Sequence, residues 1–321
     1  MLLPIEVQFD VLKCLNFNQL FSIKQINFYS LNLINEHENG LARMKFSLLE
    51  INNYDLINFQ ERGYKIIAPE SSVSEFILND QLLEKWKAAI AKSIPLYLHN
   101  FEDSEDAEFR IRLDRPYYLL KLPNIPKNIE EMLIIRSGLK QLFKSTFKEG
   151  RFYCTIINPE IINLLFDNDK TISPQFNIQE PCVFFKNNCD NFLKFTLNHL
   201  SKSTYLFLNV CNLEEYTAIL FNILKNEGNK FHLVSITCSE LARMHDLIIE
   251  YIATSENCSK MVPIIMINYF PYPKCRLNKS AEKVEIDKES KIIKYEIANI
   301  HNPKVRFSIK NVNGFTYIQK I

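Results

Sequence analysis

The sequence predicts a mixed α and β fold: a short helical module, then a βα array, then closing antiparallel hairpins. Three observations carry this. Apolar residues recur at helical spacing over the first 48 residues, β-rich runs alternate with amphipathic helices beyond Arg110, and the period drops to two around Asn313-Gly314 in the tail. At 321 residues the chain has length for about two domains, which the pattern divides into 1–48 and 49–321.

The first helix is read from Val7, Val11, Leu12 and Leu15 at helical spacing, with Glu6 in the first turn, where the helix dipole favours an acid. Pro4 suits its start, because the N–H that proline lacks would be unpaired there. A second helix runs through Leu20, Ile23 and Ile26 after the break at Asn16-Phe17-Asn18, and a third is expected after Asn39-Gly40, through Leu41, Met44 and Leu48. Three helices of this size bury too little surface to be comfortable alone, so the module is expected to lean on a partner or on the rest of the chain. From Ile51 to Asp103 the pattern is mixed, with one amphipathic helix over Asp80–Lys92 that takes Asp80 as its N-cap. Pro95 to His99 reads as a strand, and Asp103 to Asp106 as a solvated acidic loop.

Strands follow near Phe152–Ile157, Cys182–Phe185, Tyr205–Val210, Leu233–Thr237 and Pro263–Tyr269. Helices are expected near Ile129–Phe143, Pro159–Phe166, Asn191–Leu200, Leu213–Asn226 and Leu241–Ala253. The strand centres lie about 30, 23, 28 and 31 residues apart, close to the period of an irregular, leucine-rich-repeat-like βα solenoid. An open, doubly wound α/β sheet shows the same alternation and stands as the alternative. In the tail, Val284–Ile286 and Ile292–Ile297 flank the turn at Asp287-Lys288-Glu289-Ser290, and Lys304–Ile309 and Phe315–Ile318 flank Asn313-Gly314, two hairpins that would close one end of the array.

Composition excludes several functions. The net charge of +1 gives no basic excess for a nucleic-acid backbone. The 6 glycines form neither G-x-G-x-x-G nor a P-loop, so the two commonest phosphate cradles are missing. The N-terminus lacks the pattern of a secretory signal, and no apolar run reaches the roughly 18 residues of a membrane span. The 8 cysteines contain no C-x-x-C pair and are expected to be reduced, mostly buried thiols of a cytoplasmic or nuclear protein. The histidines fall in no metal-ligating spacing, no G-x-S-x-G elbow occurs, and no carboxylate pair stands out. No metal, cofactor or catalytic residue is therefore assigned.

The segment Leu3-Pro4-Ile5-Glu6-Val7, with Val11, Leu12, Leu15, Leu20, Ile23 and Ile26, resembles an F-box: an L-P-x-E start, an apolar helix ending in Leu, a polar turn, and a second Leu-led helix. It departs from that pattern at Asn27, where a Cys is usual, and at Phe28-Tyr29-Ser30, where a Trp is common. On spacing alone an ordinary amphipathic helix pair fits equally, and the L-P-x-E start tips the reading. Further segments, Phe76–Asp80, Lys121–Glu131 and Phe195–Leu200, look like those of a divergent F-box family of plant-parasitic root-knot nematodes.

The resemblance implies a substrate-receptor subunit of a Skp-cullin-F-box ubiquitin ligase, with no catalysis of its own. Leu3, Pro4, Ile5, Val7, Val11, Leu12, Leu15, Leu20, Ile23 and Ile26 would bind the Skp-type linker and, through it, the cullin-RING ligase. Residues 49–321 would recognise a protein target, and in a solenoid Asn209, Cys211, Thr237, Asn268 and Tyr269 at the strand exits would line its binding surface. Two other readings stay open: a protein-binding module whose F-box is vestigial or independent of a ligase, and a small-molecule enzyme on an α/β sheet.

Overall fold

The structure is a computed structural model and describes residues 3–37, 40–52, 65–67, 78–99, 110–114, 118–167, 169, 171–185, 189–210, 216–238, 242–269, 280–287, 289–312 and 315–321. The acidic stretch 103–106 and residues 76 and 77 of the segment 76–80 lie outside them.

The chain opens with helices α1 (Ile5–Lys13), α2 (Phe17–Lys24) and α3 (Phe28–Glu36). Asn16 starts α2 through a capping box with Gln19, each side chain meeting the other's backbone N–H at 3.0 and 2.9 Å. Asn27, one of the departures from the F-box pattern, caps α3 by accepting from Ser30 N–H at 2.8 Å. The third helix is thus Phe28–Glu36 rather than the expected one through Leu41, Met44 and Leu48. Met44–Asn52 instead forms strand β1, between two other strands. Its spacing at Leu41, Met44 and Leu48 imitates a helix, but Met44, Phe46 and Leu48, and then Leu49 and Ile51, are also apolar at alternate positions, and pairing on both sides decides the ambiguity.

Four further helices have well-described ends: α4 (Asp80–Ala91), α5 (Ile129–Phe143), α6 (Pro159–Leu165) and α8 (Thr217–Asn226). Two more, α7 (Cys189–His199) and α9 (Ala242–Thr254), complete the described set. The cap of α4 is Asn79, whose carboxamide accepts from Leu82 N–H at 2.8 Å, not Asp80, which lies inside the first turn. Asn128 and Asn158 cap α5 and α6 in the same way, and Pro159 stands just inside α6.

Among the described residues a mixed sheet of 13 strands organises the rest. Its centre is parallel: β1, then β6 (Ser145–Tyr153), β8 (Asn177–Phe185), β9 (Ser203–Val210), β10 (Phe231–Cys238) and β11 (Ile264–Tyr269), side by side in sequence order. Beyond β1 lie β4 (Arg110–Asp114), β5 (Tyr118–Leu120) and β2 (Lys65–Ile67). Past β11, the tail adds β15 (Phe315–Lys320), β14 (Arg306–Val312), β13 (Ile292–Ala298) and β12 (Glu282–Asp287), all antiparallel. The tail therefore covers the β11 edge, as the hairpin signals predict. A two-stranded sheet pairs β3 (Tyr97–His99) with β7 (Thr155–Ile157).

Because the parallel strands never reverse their order, crossovers that follow the right-handed rule would carry the linking helices to one face. The register agrees. Phe152, Val183, Leu208, Ile236 and Ile267 lie opposite one another on successive strands, and all are buried. On that face Phe152 packs against Phe195 of α7 at 5.0 Å, and Phe185 against Phe192 at 5.7 Å. Polar ties fix the helices: Trp86 Nε1 donates to the Leu164 carbonyl at 3.3 Å, and Asn299 Nδ2 donates to the Ile252 and Ser255 carbonyls at the end of α9, each at 2.8 Å. Lys230 caps α7 by donating to the Thr196 carbonyl at 3.2 Å and to that of Leu197.

Candidate docking surfaces

The N-terminal helices have a small core of their own, made by Leu12, Leu20, Leu33, Ile34 and Leu41. Leu12 and Leu20, both expected to meet a linker, are thus buried, and Leu15 and Ile23 are half-buried against them. The other expected contacts face solvent: Leu3 is 58% exposed, Ile5 and Val11 51%, Val7 43% and Ile26 69%, with Pro4 exposed beside them. Spacing did not single out Phe28 (76% exposed), Phe21 or Tyr29, which add aromatic surface to the same module. A groove of about 190 Å³ runs between Leu3, Val11, Ile23, Tyr29 and Leu33. Its wall is tied by Tyr29 Oη donating to Gln8 Oε1 at 2.9 Å and by Gln8 Nε2 donating to the Leu3 carbonyl at 2.5 Å. Exposed apolar residues beside a groove, on a module with so small a core, make a surface that gains from being covered.

The second surface is the sheet face opposite the helices. Three of the five residues expected to line a target surface lie in one line: Asn209 is opposite Thr237, and Thr237 opposite Asn268. The line continues to Phe184 on β8 and to Phe315 on β15. Cys211 and the side chain of Tyr269 lie outside the described residues. In the next line, Cys182, Phe207, Ser235, Met266 and Tyr317 succeed one another, and beyond that Tyr205, Leu233, Ile264 and Gln319. Tyr153 stacks on Phe184 at 4.7 Å, and Phe184 meets Phe207 at 5.7 Å, so an aromatic strip crosses from β6 to β9. Strand alternation alone could have identified Tyr205, Phe207 and Met266, because each stands next to the core members of its strand, Leu206 and Leu208 on β9 and Ile265 and Ile267 on β11.

Charge is confined to the flanks. Glu149 pairs with Arg151 at 2.7 Å on β6, and Glu50 on β1 is buried against Arg112 on β4. At the other flank Arg306 pairs with Glu282 and with Glu296 at 3.2 Å. Burial pushes the Cys182 thiol up to about 12, with Arg151 pulling it down and Glu149 pushing it up, so this sulfur is a poor nucleophile at neutral pH.

His199 is buried with Nδ1 3.0 Å from the Pro174 carbonyl, and His245 lies 3.3 Å from Asp246. Among the described residues no three His, Cys, Asp or Glu side chains are grouped to hold a metal, and no helix is long and apolar enough to cross a membrane. The expectation of mostly buried thiols is only partly met: Cys258 is buried, Cys154 and Cys182 are half-buried, and Cys14 at the end of α1 is exposed.

No curated protein and no solved structure matches the chain. Residues 67–211, from the end of β2 to just past β9, match the model of a family described as a domain of unknown function (DUF8381).

Proposed function

We propose that the chain is a non-catalytic adaptor: the N-terminal helices act as an F-box that docks on a Skp-type linker, and the βα array, a leucine-rich-repeat-like solenoid, presents a target for ubiquitination by the attached cullin-RING ligase. The observation that carries this reading is the row of exposed apolar residues Leu3, Ile5, Val7 and Val11 on α1 and its approach. Nothing in the described core uses them, and burying such a side chain completely is worth about 1.5–3 kcal/mol. The second support is the uninterrupted strand order. A doubly wound sheet binds its ligand where the order reverses, and the parallel strands here have no such point. Among the described residues, such an array instead leaves a broad face for a macromolecule.

Such an adaptor works by proximity. It raises the effective concentration of the target beside a ubiquitin-loaded enzyme and contributes no reacting group. It would act in the cytoplasm or nucleus.

The test is affinity capture of linker and cullin by the full chain and by the Leu3→Ala/Pro4→Ala variant. The reading expects both partners with the wild type and neither with the variant, at unchanged melting temperature. Capture of the linker without the cullin would leave a binding module independent of a ligase. Capture of neither by the wild type would remove the F-box reading.

A further inference from the structure

The face opposite the helices is polar and apolar without being charged. On β9, β10, β11 and β15 its three lines hold aromatic, aliphatic, amide and hydroxyl side chains and no ionisable acid or base other than tyrosine. No described helix hydrogen-bonds, pairs or stacks with these residues. At the flanks Glu149 pairs with Arg151, Glu50 with Arg112 and Arg306 with Glu296, while Glu180 on β8 and Lys310 opposite Tyr317 form no ion pair among the described residues. This is the anatomy of an interface, an uncharged centre with a charged rim.

Its size and its polar groups narrow the occupant. Strands stand about 4.8 Å apart and alternate residues about 6.6 Å, so three lines on the strands from β8 to β15 span roughly 20 by 14 Å, about 300 Å². A stable dimer hides about 800 Å² on each partner, so a second copy of the chain is a poor fit and a short segment is a good one. Within the middle line, the carboxamides of Asn209 and Asn268 and the hydroxyl of Thr237 have no hydrogen-bond partner among the described residues. A carboxamide offers both a donor and an acceptor, the complement of a peptide unit. Asn209 and Asn268 lie two strands apart, about 9.6 Å, which is the reach of three residues of extended chain. Phe184 and Phe315 close the line at its ends, about 19 Å apart, or roughly six residues of extended chain.

We infer that this face binds an uncharged, extended polypeptide segment laid across the strands, its backbone held by Asn209 and Asn268 and its apolar side chains, about six positions apart, seated on Phe184 and Phe315. The inference rests on the proposed adaptor reading only in making the segment part of a target; the binding itself needs no linker.

The experiment is selection of a displayed library of random 12-residue peptides on the full chain, followed by fluorescence anisotropy with the enriched peptides after synthesis. Enriched peptides should lack charge in their centre and carry two apolar residues five to seven positions apart. Their dissociation constants should rise about tenfold with Asn209→Ala/Asn268→Ala, the loss of two polar anchors. The nearly isosteric Asn209→Asp/Asn268→Asp pair should weaken binding at least as much, and it separates loss of the amide donors from any change in packing. Leu3→Ala/Pro4→Ala should leave peptide binding unchanged whether or not that variant captures a linker, so the two readings fail separately. No enrichment, enrichment of charged peptides, or affinity untouched by both Asn pairs would overturn the inference. Loss of peptide binding in the Leu3/Pro4 variant would move the site to the helices and overturn it as well.

Discussion

Arg136 sits in α5 with 6% of its side chain exposed, a charge that the surrounding core would reject without partners. Its guanidinium pairs with Asp169, donates to the Leu165 carbonyl at the end of α6, and lies 4.6 Å over the Phe166 ring. Replacing it by Met keeps most of the volume and removes every one of these partners' donors. Asp169, 14% exposed, would keep only Thr171, whose N–H and hydroxyl donate to it at 3.0 and 2.6 Å. Breaking a buried pair from one side costs about 3–5 kcal/mol, which at 2–4 °C per kcal/mol lowers the melting temperature by roughly 6–20 °C. Adding Asp169→Asn removes the stranded charge and should recover at least half of the loss. The pH dependence carries a sign. Burial pushes the Asp169 carboxyl up, but Thr171 and Arg136 outweigh it and hold it below its ordinary value of 3.8. The stability that the pair supplies is therefore full above that value and is lost as pH falls through the lower, folded-state value, so wild type and Arg136→Met should converge in acid. Urea denaturation at pH 7 and pH 3 measures both effects. An Arg136→Met variant within 1 kcal/mol of wild type at pH 7, or no recovery in the double variant, would refute the assignment.

Two further outcomes are expected. Burial, with Lys230 adding to it and the Pro174 carbonyl opposing it, holds His199 below its ordinary 6.5, so the wild type should lose stability as pH falls below about 6.5, by at most about 1.4 kcal/mol per pH unit. His199→Asn, which can keep the donor to Pro174, should flatten that slope in calorimetry between pH 5 and 7. Gly228→Ala would place a Cβ 2.3 Å from the Met261 carbonyl oxygen, where backbone rather than a flexible side chain must yield, so it should cost at least 1–3 kcal/mol in the same urea assay.

The middle of the chain was legible because its elements satisfy two signals at once. Ile129–Phe143 has the apolar period, and Asn128 before it supplies a cap, so the expected and observed helices coincide. The strands from β9 to β11 are short β-rich runs that follow helices, and their centres fall where the sequence puts them, whereas β8 begins five residues before the expected Cys182. The misreading at Met44–Asn52 came from a run apolar on both faces, where period cannot distinguish helix from strand and only the neighbours β4 and β6 settle it. The caps Asn16, Asn27 and Asn79 were legible in principle, since each stands just before an amphipathic run, but in an Asn-rich chain the residue type alone carries little information. For the candidate surfaces, spacing located the line through Asn209, Thr237 and Asn268 but not its flanks, because Phe184 and Phe315 join it only through pairing between strands. On α1, the apolar period identified the residues without separating Leu12, which faces inward, from Val11, which faces out.

How the two surfaces are joined bears on whether one can position the other. Proximity is useful only if the link is neither too long nor too loose, since effective concentration falls with the volume a tethered target explores. Here Leu41 belongs to the core of the helical module, and Met44 begins the sheet. Between them Arg43 donates to the Phe143 carbonyl at 3.0 Å, and Asn177 Nδ2 donates to the same oxygen at 2.8 Å. The C-terminus of α5, the entry to β1 and the start of β8 therefore meet at one carbonyl. The junction is tied to the sheet at this carbonyl, so under the proposed adaptor reading the route from Leu3, Val7 and Val11 to the open face is short and anchored at its point of exit.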